Sequence, residues 1–141
     1  GLPAYLVSKP GLNSGFMIPQ YTAASIVSQS KQLCTPASAD SIVSSNGQED
    51  HVSMGANAAT DLIEVINGVW KIVSMELVCA IRSIESGERE SSKLIQDFIS
   101  SYRSIYPSPR GDANLSEEIK AAENFLRDTL IEDSEFLIFN E

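Results

Sequence analysis

The strongest pattern in the chain is a helical repeat over residues 53–85. Apolar residues recur there at intervals of three and four, which predicts one helix of about nine turns and about 50 Å in length. Val65, Ile72 and Val78 add apolar groups outside this stripe, so we expect the helix to be surrounded on all sides. The stripe consists of Ala59, Leu62, Ile63, Ile66, Val69, Trp70, Val73, Leu77, Ala80, Ile81 and Ile84.

Three further segments carry the same periodicity and are predicted to be helices: residues 14–33, 91–105 and 115–131. Pro19 would interrupt the first of them, so that helix is expected to begin late or to kink. The last begins with a capping-box sequence over 114–117, Asn-Leu-Ser-Glu. Because no alternating strand pattern of useful length occurs, the predicted fold class is all-α, a bundle of long helices.

The segments between these helices are rich in turn residues. Residues 34–51 are long and not periodic, which is typical of either a functional loop or a disordered one. Arg110-Gly111-Asp112 is predicted to be a simple turn, and the apolar tail over 136–139 is expected to dock against another surface.

Composition narrows the classes of function. The chain of 141 residues is 43% hydrophobic and 21% charged, as in a globular protein, and has no apolar stretch long enough to cross a membrane. Its net charge of -9 argues against binding to nucleic acid or to an anionic membrane. The two cysteines predict reduced thiols and a cytoplasmic protein, and the single histidine, His51, excludes sites that need two imidazoles. No metal site is predicted.

One segment, residues 45–55, concentrates chemically active side chains just before the longest helix. Glu49, Asp50 and His51 are adjacent there. One interpretation is structural: Asp50 or Ser53 caps the helix, and the two carboxylates are favoured by its positive end. From spacing alone, this structural interpretation is preferred over a catalytic one.

Three sequence blocks change that preference. They are GLNSGFMI at 11–18, PASADS at 36–41 and NGQEDHVSMG at 46–55. In this order and spacing they closely resemble the aromatic amino-acid ammonia-lyases, and within that family the histidine ammonia-lyases. The phenylalanine and tyrosine lyases carry an Asn-Gln-Asp run in place of Gln48-Glu49-Asp50-His51. Pro19 departs from the family pattern, outside the reacting blocks.

The resemblance implies a fold and an activity. The fold would be the fumarase/aspartase-like helical core, assembled as a homotetramer around a central bundle. The activity would be conversion of L-histidine to trans-urocanate and ammonia by methylidene-imidazolone (MIO), an electrophile formed from an internal Ala-Ser-Gly tripeptide. No Ala-Ser-Gly occurs in this sequence. We therefore expect a C-terminal segment of a lyase, inactive alone, with the cofactor formed outside it.

The resemblance also assigns residues and partners. Glu49 would be the active-site glutamate that acts on the substrate, and Met17 would line the substrate pocket. Gln48, Asp50 and His51 would hold the loop rather than contact the substrate. The expected partners are the rest of the lyase chain, the other subunits and a small amino acid, with no nucleic acid and no membrane.

The expected organisation has two parts. Residues 1–87 would form a core-bundle segment with an active-site loop at 34–52 and the long helix at 53–85, and residues 88–141 a C-terminal helical segment. Two alternatives stay open: a non-catalytic helical scaffold or oligomerisation module, and a lyase that acts on tyrosine or phenylalanine.

Overall fold

Helices dominate the structure. The computed structural model describes residues 1–7, 9–109 and 114–132, with side chains described up to residue 129. The expected Arg-Gly-Asp turn at 110–112 and the apolar tail at 136–139 lie outside the described residues. The α-helices of the described part are α1 (Met17–Leu33), α2 (Gly55–Glu85), α3 (Lys93–Ile105) and α4 (Leu115–Glu132).

The predicted all-α class is confirmed, since the described residues contain no β-strand. No helix among them is long and apolar enough to cross a membrane. The late start predicted from Pro19 is confirmed, because α1 begins at Met17 and the proline lies in its first turn. A backbone N–H at that position has no partner within the helix, so the N–H that proline lacks leaves no helical hydrogen bond unmade.

The start of α4 follows the predicted capping box in a modified form. The Asn114 side-chain oxygen accepts a hydrogen bond from the Ser116 N–H at 3.1 Å, and its amide donates to Glu117 Oε1 at 3.5 Å. The two capping side chains therefore bond to each other, and one of the free N–H groups of the first turn is satisfied.

Contacts along the chain divide it into two compact units. One comprises Gly1–Ala23 together with the chain from Lys71 onward, and the other comprises Ala24–Trp70. The expected boundary at residue 87 stays a prediction.

In the second unit, α1 and α2 approach closely at Gly68. A side chain at Gly68 would lie 2.9 Å from Ile26 Cγ2 and 3.5 Å from Ser30 Oγ. The hydrogen atom of a glycine is therefore needed at this crossing.

The hydrophobic core of the first unit lies where the second half of α2 meets α3 and α4. The Phe125 ring lies 5.3 Å from the Phe98 ring, edge-on, and 5.5 Å from the Tyr102 ring, tilted. Aromatic pairs prefer such arrangements over face-to-face stacking. The buried residues of this core are Val78, Ile81, Tyr102, Ala122 and Phe125.

The first half of α2 differs from the expectation that the helix would be surrounded. Its predicted apolar stripe is 46–59% exposed at four positions. Apolar groups on all sides of the helix therefore do not translate into full burial within the described residues of this chain. The four exposed positions are Leu62, Ile63, Ile66 and Val69.

A buried carboxylate connects three helices of the first unit. Glu118 of α4 is fully buried and accepts hydrogen bonds from Arg82 of α2 and, at 3.0 Å, from Arg103 of α3. Arg103 also binds Glu85 of α2 through two nitrogens, at 2.6 and 2.8 Å. Burial acts to lower the pKa of Arg103, but the hydrogen bonds to Glu85 and Glu118 outweigh it and the pKa is raised. The guanidinium therefore stays charged.

Tyr102 joins the same cluster through its hydroxyl. The Tyr102 Oη donates to the backbone carbonyl of Glu118 at 3.1 Å. Burial, followed by the negative charge of Glu118, raises the pKa of Tyr102 above its ordinary value. The phenol is therefore held neutral in the folded state.

We predict that Glu118→Ala lowers the free energy of unfolding by about 3–5 kcal/mol, because it leaves two largely buried guanidinium groups without their shared anion. Urea denaturation measures this loss. Asp97→Ala is the matched control, since it breaks an exposed pair with Lys93 (3.1 Å) and should cost at most about 0.5 kcal/mol. Equal losses in the two variants would contradict a structural role for the buried network.

Tyr102 should also set the response of stability to alkaline pH. In the unfolded chain the phenol ionises near pH 10, whereas the folded chain holds it neutral to higher pH. The unfolded state therefore loses a proton first, and stability falls as pH rises above about 10. We predict that Tyr102→Phe weakens this fall in denaturation midpoints measured from pH 8 to 11, while Tyr21→Phe, at an exposed site, leaves it unchanged.

Candidate functional site

The predicted active-site residues lie in an irregular segment between α1 and α2. Two short 3-10 turns, Ala37–Ala39 and Ser45–Gly47, punctuate it. Ser44 and Glu49 exchange both backbone hydrogen bonds, at 2.9 Å (Ser44 N to Glu49 O) and 3.3 Å (Glu49 N to Ser44 O). The chain therefore reverses direction within a few residues and places Glu49 at the end of a small closed turn.

The reversal uses left-handed backbone at successive residues. Ser45, Asn46 and Gly47 have φ values of 53°, 56° and 85°. Asparagine and glycine adopt this conformation readily, whereas for serine it is uncommon. Met54, just before α2, is also left-handed, with φ of 51°. Strained residues of this kind persist only where the surrounding structure holds them, and they cluster at functional sites.

A side chain closes the larger loop around this turn. The Ser41 hydroxyl accepts a hydrogen bond from the Val52 N–H at 2.7 Å. Both residues are half-buried, whereas every residue from 42 to 51 is exposed. The loop thus has an anchored base and an exposed tip.

The tip carries four of the five predicted site residues together: Gln48, Glu49, Asp50 and His51. Within the described part of the chain, their side chains form no hydrogen bond or ion pair. The Glu49 carboxylate is therefore not neutralised by a described cation of this chain and is available to an external group.

The structural interpretation of this segment as a helix cap finds little support. α2 begins at Gly55, and its first turn contains no acidic residue. Neither Asp50 nor Ser53 accepts a hydrogen bond from that turn among the described residues. The carboxylates therefore lie outside the first turn, where the effect of the helix dipole is concentrated.

Met17, the fifth predicted residue, belongs to the other unit. It is the first residue of α1 and is half-buried. The turn that precedes it is fixed by Gly15, where φ is 50° and a side chain would overlap the Tyr5 carbonyl oxygen. The Phe16 N–H donates to that same oxygen at 3.1 Å. The first sequence block, 11–18, therefore sets the start of the helix that carries Met17.

Sequence reasoning did not identify the Ser41 contact or the ion network around Glu118. The only available signal for Ser41 is its place in the second sequence block. No cluster of three or more potential metal ligands occurs in the described ranges.

A comparison with known protein families matches a range that contains the three sequence blocks at 11–18, 36–41 and 46–55. The sequence profile of the family described as aromatic amino acid lyase matches residues 1–104. Histidine ammonia-lyase of Geobacillus thermodenitrificans is 44% identical over 136 residues, which cover 94% of this chain and 27% of that protein. The corresponding enzyme of Treponema denticola is 48% identical over 108 residues, covering 71% and 21%. The chain thus spans about a quarter of the length of these relatives.

Solved structures give the same result for the fold. The crystal structure of histidine ammonia-lyase from Trypanosoma cruzi matches with a TM-score of 0.84 and 40% identity, over 92% of this chain and 26% of that one. A tyrosine aminomutase matches with a TM-score of 0.83 and 29% identity, over 94% and 26%. The predicted helical core of the ammonia-lyases is confirmed. With three quarters of its length matching the family profile and with histidine ammonia-lyases among its relatives, the chain belongs to the aromatic amino acid lyase family.

Proposed function

We propose that this chain is the C-terminal part of a histidine ammonia-lyase and that it contributes Glu49 to the active site. The observation that carries this proposal is the 44% identity to a histidine ammonia-lyase over 94% of the chain. The geometry of the Glu49 loop supports it, because the carboxylate is exposed and lacks a described partner at the tip of a closed turn.

The proposed reaction eliminates ammonia from L-histidine to give trans-urocanate. It requires a base that removes a weakly acidic β-proton and a group that assists departure of the amine. An exposed carboxylate can accept the proton, or can accept hydrogen bonds from the ammonium or imidazole N–H groups of the substrate. Glu49 is proposed to act in one of these ways, and Met17 to line the pocket.

Gln48, Asp50 and His51 are proposed to hold the loop. Within the described part of this chain their side chains have no bonded partner, so in this proposal the groups that they contact come from the remainder of the enzyme. Contacts of that kind orient a catalytic side chain without touching the substrate.

The cofactor is proposed to come from outside this chain. Methylidene-imidazolone supplies the electrophile that makes the substrate amine a better leaving group. The tripeptide that forms it, Ala-Ser-Gly, is not present in this sequence. We therefore propose that the residues of this chain do not form the cofactor and have only the binding and proton-transfer functions described above.

Assembly into a homotetramer in the cytoplasm is the proposed setting. The exposed apolar stripe on the first half of α2 supports assembly, because side chains of this kind are normally covered in a finished protein. The isolated chain is proposed to be inactive. Tyrosine or phenylalanine is the second candidate substrate, and the match to a tyrosine aminomutase supports tyrosine. A helical scaffold without catalysis is the third candidate function.

We predict that the complete protein carrying this chain, incubated with L-histidine, produces urocanate, which is followed by its ultraviolet absorbance. Product from tyrosine or phenylalanine alone would instead support the second candidate. A folded tetramer that converts none of the three amino acids would support the scaffold. The chain alone should give no product, and activity from it would contradict the proposed external cofactor.

We predict that Glu49→Gln lowers the turnover of the complete enzyme by about a hundredfold or more, because the amide cannot accept a proton and carries no charge. The tetramer should remain intact in size-exclusion chromatography. Glu88→Gln, at an exposed site after α2, is the control and should retain full activity. Unchanged turnover in Glu49→Gln would remove Glu49 from the active site.

A further inference from the structure

We propose that Ser41 is a positioning residue for the elimination reaction and acts through Glu49. Its hydroxyl holds residues 42–51 in the closed conformation that presents the Glu49 carboxylate. This inference rests on the proposed function, in which Glu49 contacts the substrate.

The hydrogen bond joins the two ends of the loop. Ser41 Oγ lies 2.7 Å from the backbone nitrogen of Val52, eleven residues along the chain. The other hydrogen bonds of the segment, between Ser44 and Glu49 and within the Ser45–Gly47 turn, begin and end inside the loop. Among the described residues, the Ser41 contact is therefore the hydrogen bond that fixes where the loop returns to α2.

Within the described residues of this chain, burial does not hold the loop closed. The loop is exposed throughout, including Ile42 at 66% and Val43 at 62%. A segment without buried apolar contacts opens easily and depends on its hydrogen bonds to stay ordered. The base of the loop is the exception, since Ser41 and Val52 are half-buried and water competes less strongly for their bond there.

Backbone strain adds a reason for the closure. Ser45 is left-handed in the tip, and Met54 is left-handed just beyond Val52. For serine and methionine this conformation costs free energy and relaxes when the surrounding contacts are removed. Loss of the Ser41 bond is therefore expected to let the loop shift as a whole and carry the Glu49 turn with it. A displacement of about 1 Å at a reacting group can lower a rate about a hundredfold.

A matched pair of variants isolates the hydroxyl in the complete enzyme. Ser41→Thr keeps the acceptor oxygen. Ser41→Val introduces a side chain of the same shape as threonine but without that oxygen. We expect Ser41→Val to lower kcat about ten- to a hundredfold and Ser41→Thr to stay close to the parent enzyme. Ser38→Ala is the control, because Ser38 is exposed in the same segment and its hydroxyl makes no hydrogen bond among the described residues. Ser41→Ala replaces Ser41→Val if the valine variant assembles poorly.

A double-mutant cycle with Glu49→Gln tests whether Ser41 acts through Glu49. If it does, removing the Ser41 hydroxyl slows the parent enzyme but adds little to the loss already caused by Glu49→Gln. A purely structural effect would multiply the two losses. Hydrogen exchange at the Val52 amide gives an independent measure, with faster exchange expected in Ser41→Val than in Ser41→Thr.

The outcomes separate this inference from the function on which it rests. Full activity in Glu49→Gln would overturn the role of Glu49 itself. A slow Glu49→Gln enzyme combined with full activity in Ser41→Val, equal losses in the valine and threonine variants, or multiplied losses in the double variant would overturn the role of Ser41 alone.

Discussion

The first unit depends on the burial of one negative charge. Glu118 is inaccessible to solvent, and a carboxylate in that position is tolerated only when cations and hydrogen bonds replace the lost water. Arg82 and Arg103 supply both, from two different helices. Because the geometry of the fork-shaped guanidinium groups is specific, the network fixes the register of α2, α3 and α4 as well as joining them. The adjacent aromatic core then packs on helices whose relative positions are already set.

The Glu49 loop, in contrast, does not depend on a buried charge. It has almost no buried surface, and its shape comes from a few backbone hydrogen bonds, one serine hydroxyl and left-handed residues. A loop of this kind exposes its polar side chains to whatever lies beside it. The two sequence blocks at its ends and tip, 36–41 and 46–55, therefore contain residues that set the backbone geometry as well as reactive groups.

Much of the fold could be predicted because helices are local. Spacing of apolar residues located all four helices to within about two or three residues, and Pro19 correctly indicated a late start for α1. The extent to which α2 is covered was not predictable in the same way, since a hydrophobic repeat shows that a face avoids water but not which chain covers it. Leu62 and Val69 belong to the same apolar stripe as Ile81, yet only Ile81 is buried.

The site was less predictable from the residues. Spacing alone favoured a helix cap for Asp50, and only the resemblance of three blocks to a lyase family drew attention to Glu49. Contacts such as Ser41 to Val52 or Arg82 to Glu118 join residues 11 and 36 positions apart, and no local pattern encodes them.

The uncovered half of α2 has a consequence for the life of the protein in the cell. A newly synthesised copy displays a row of branched aliphatic side chains to the surrounding water until something shields them. Chaperones and quality-control proteases act on chains that keep such surfaces exposed, so we expect the lifetime of this polypeptide to depend on how quickly another surface covers these side chains. Abundance would then follow the supply of the covering surface rather than the rate of synthesis.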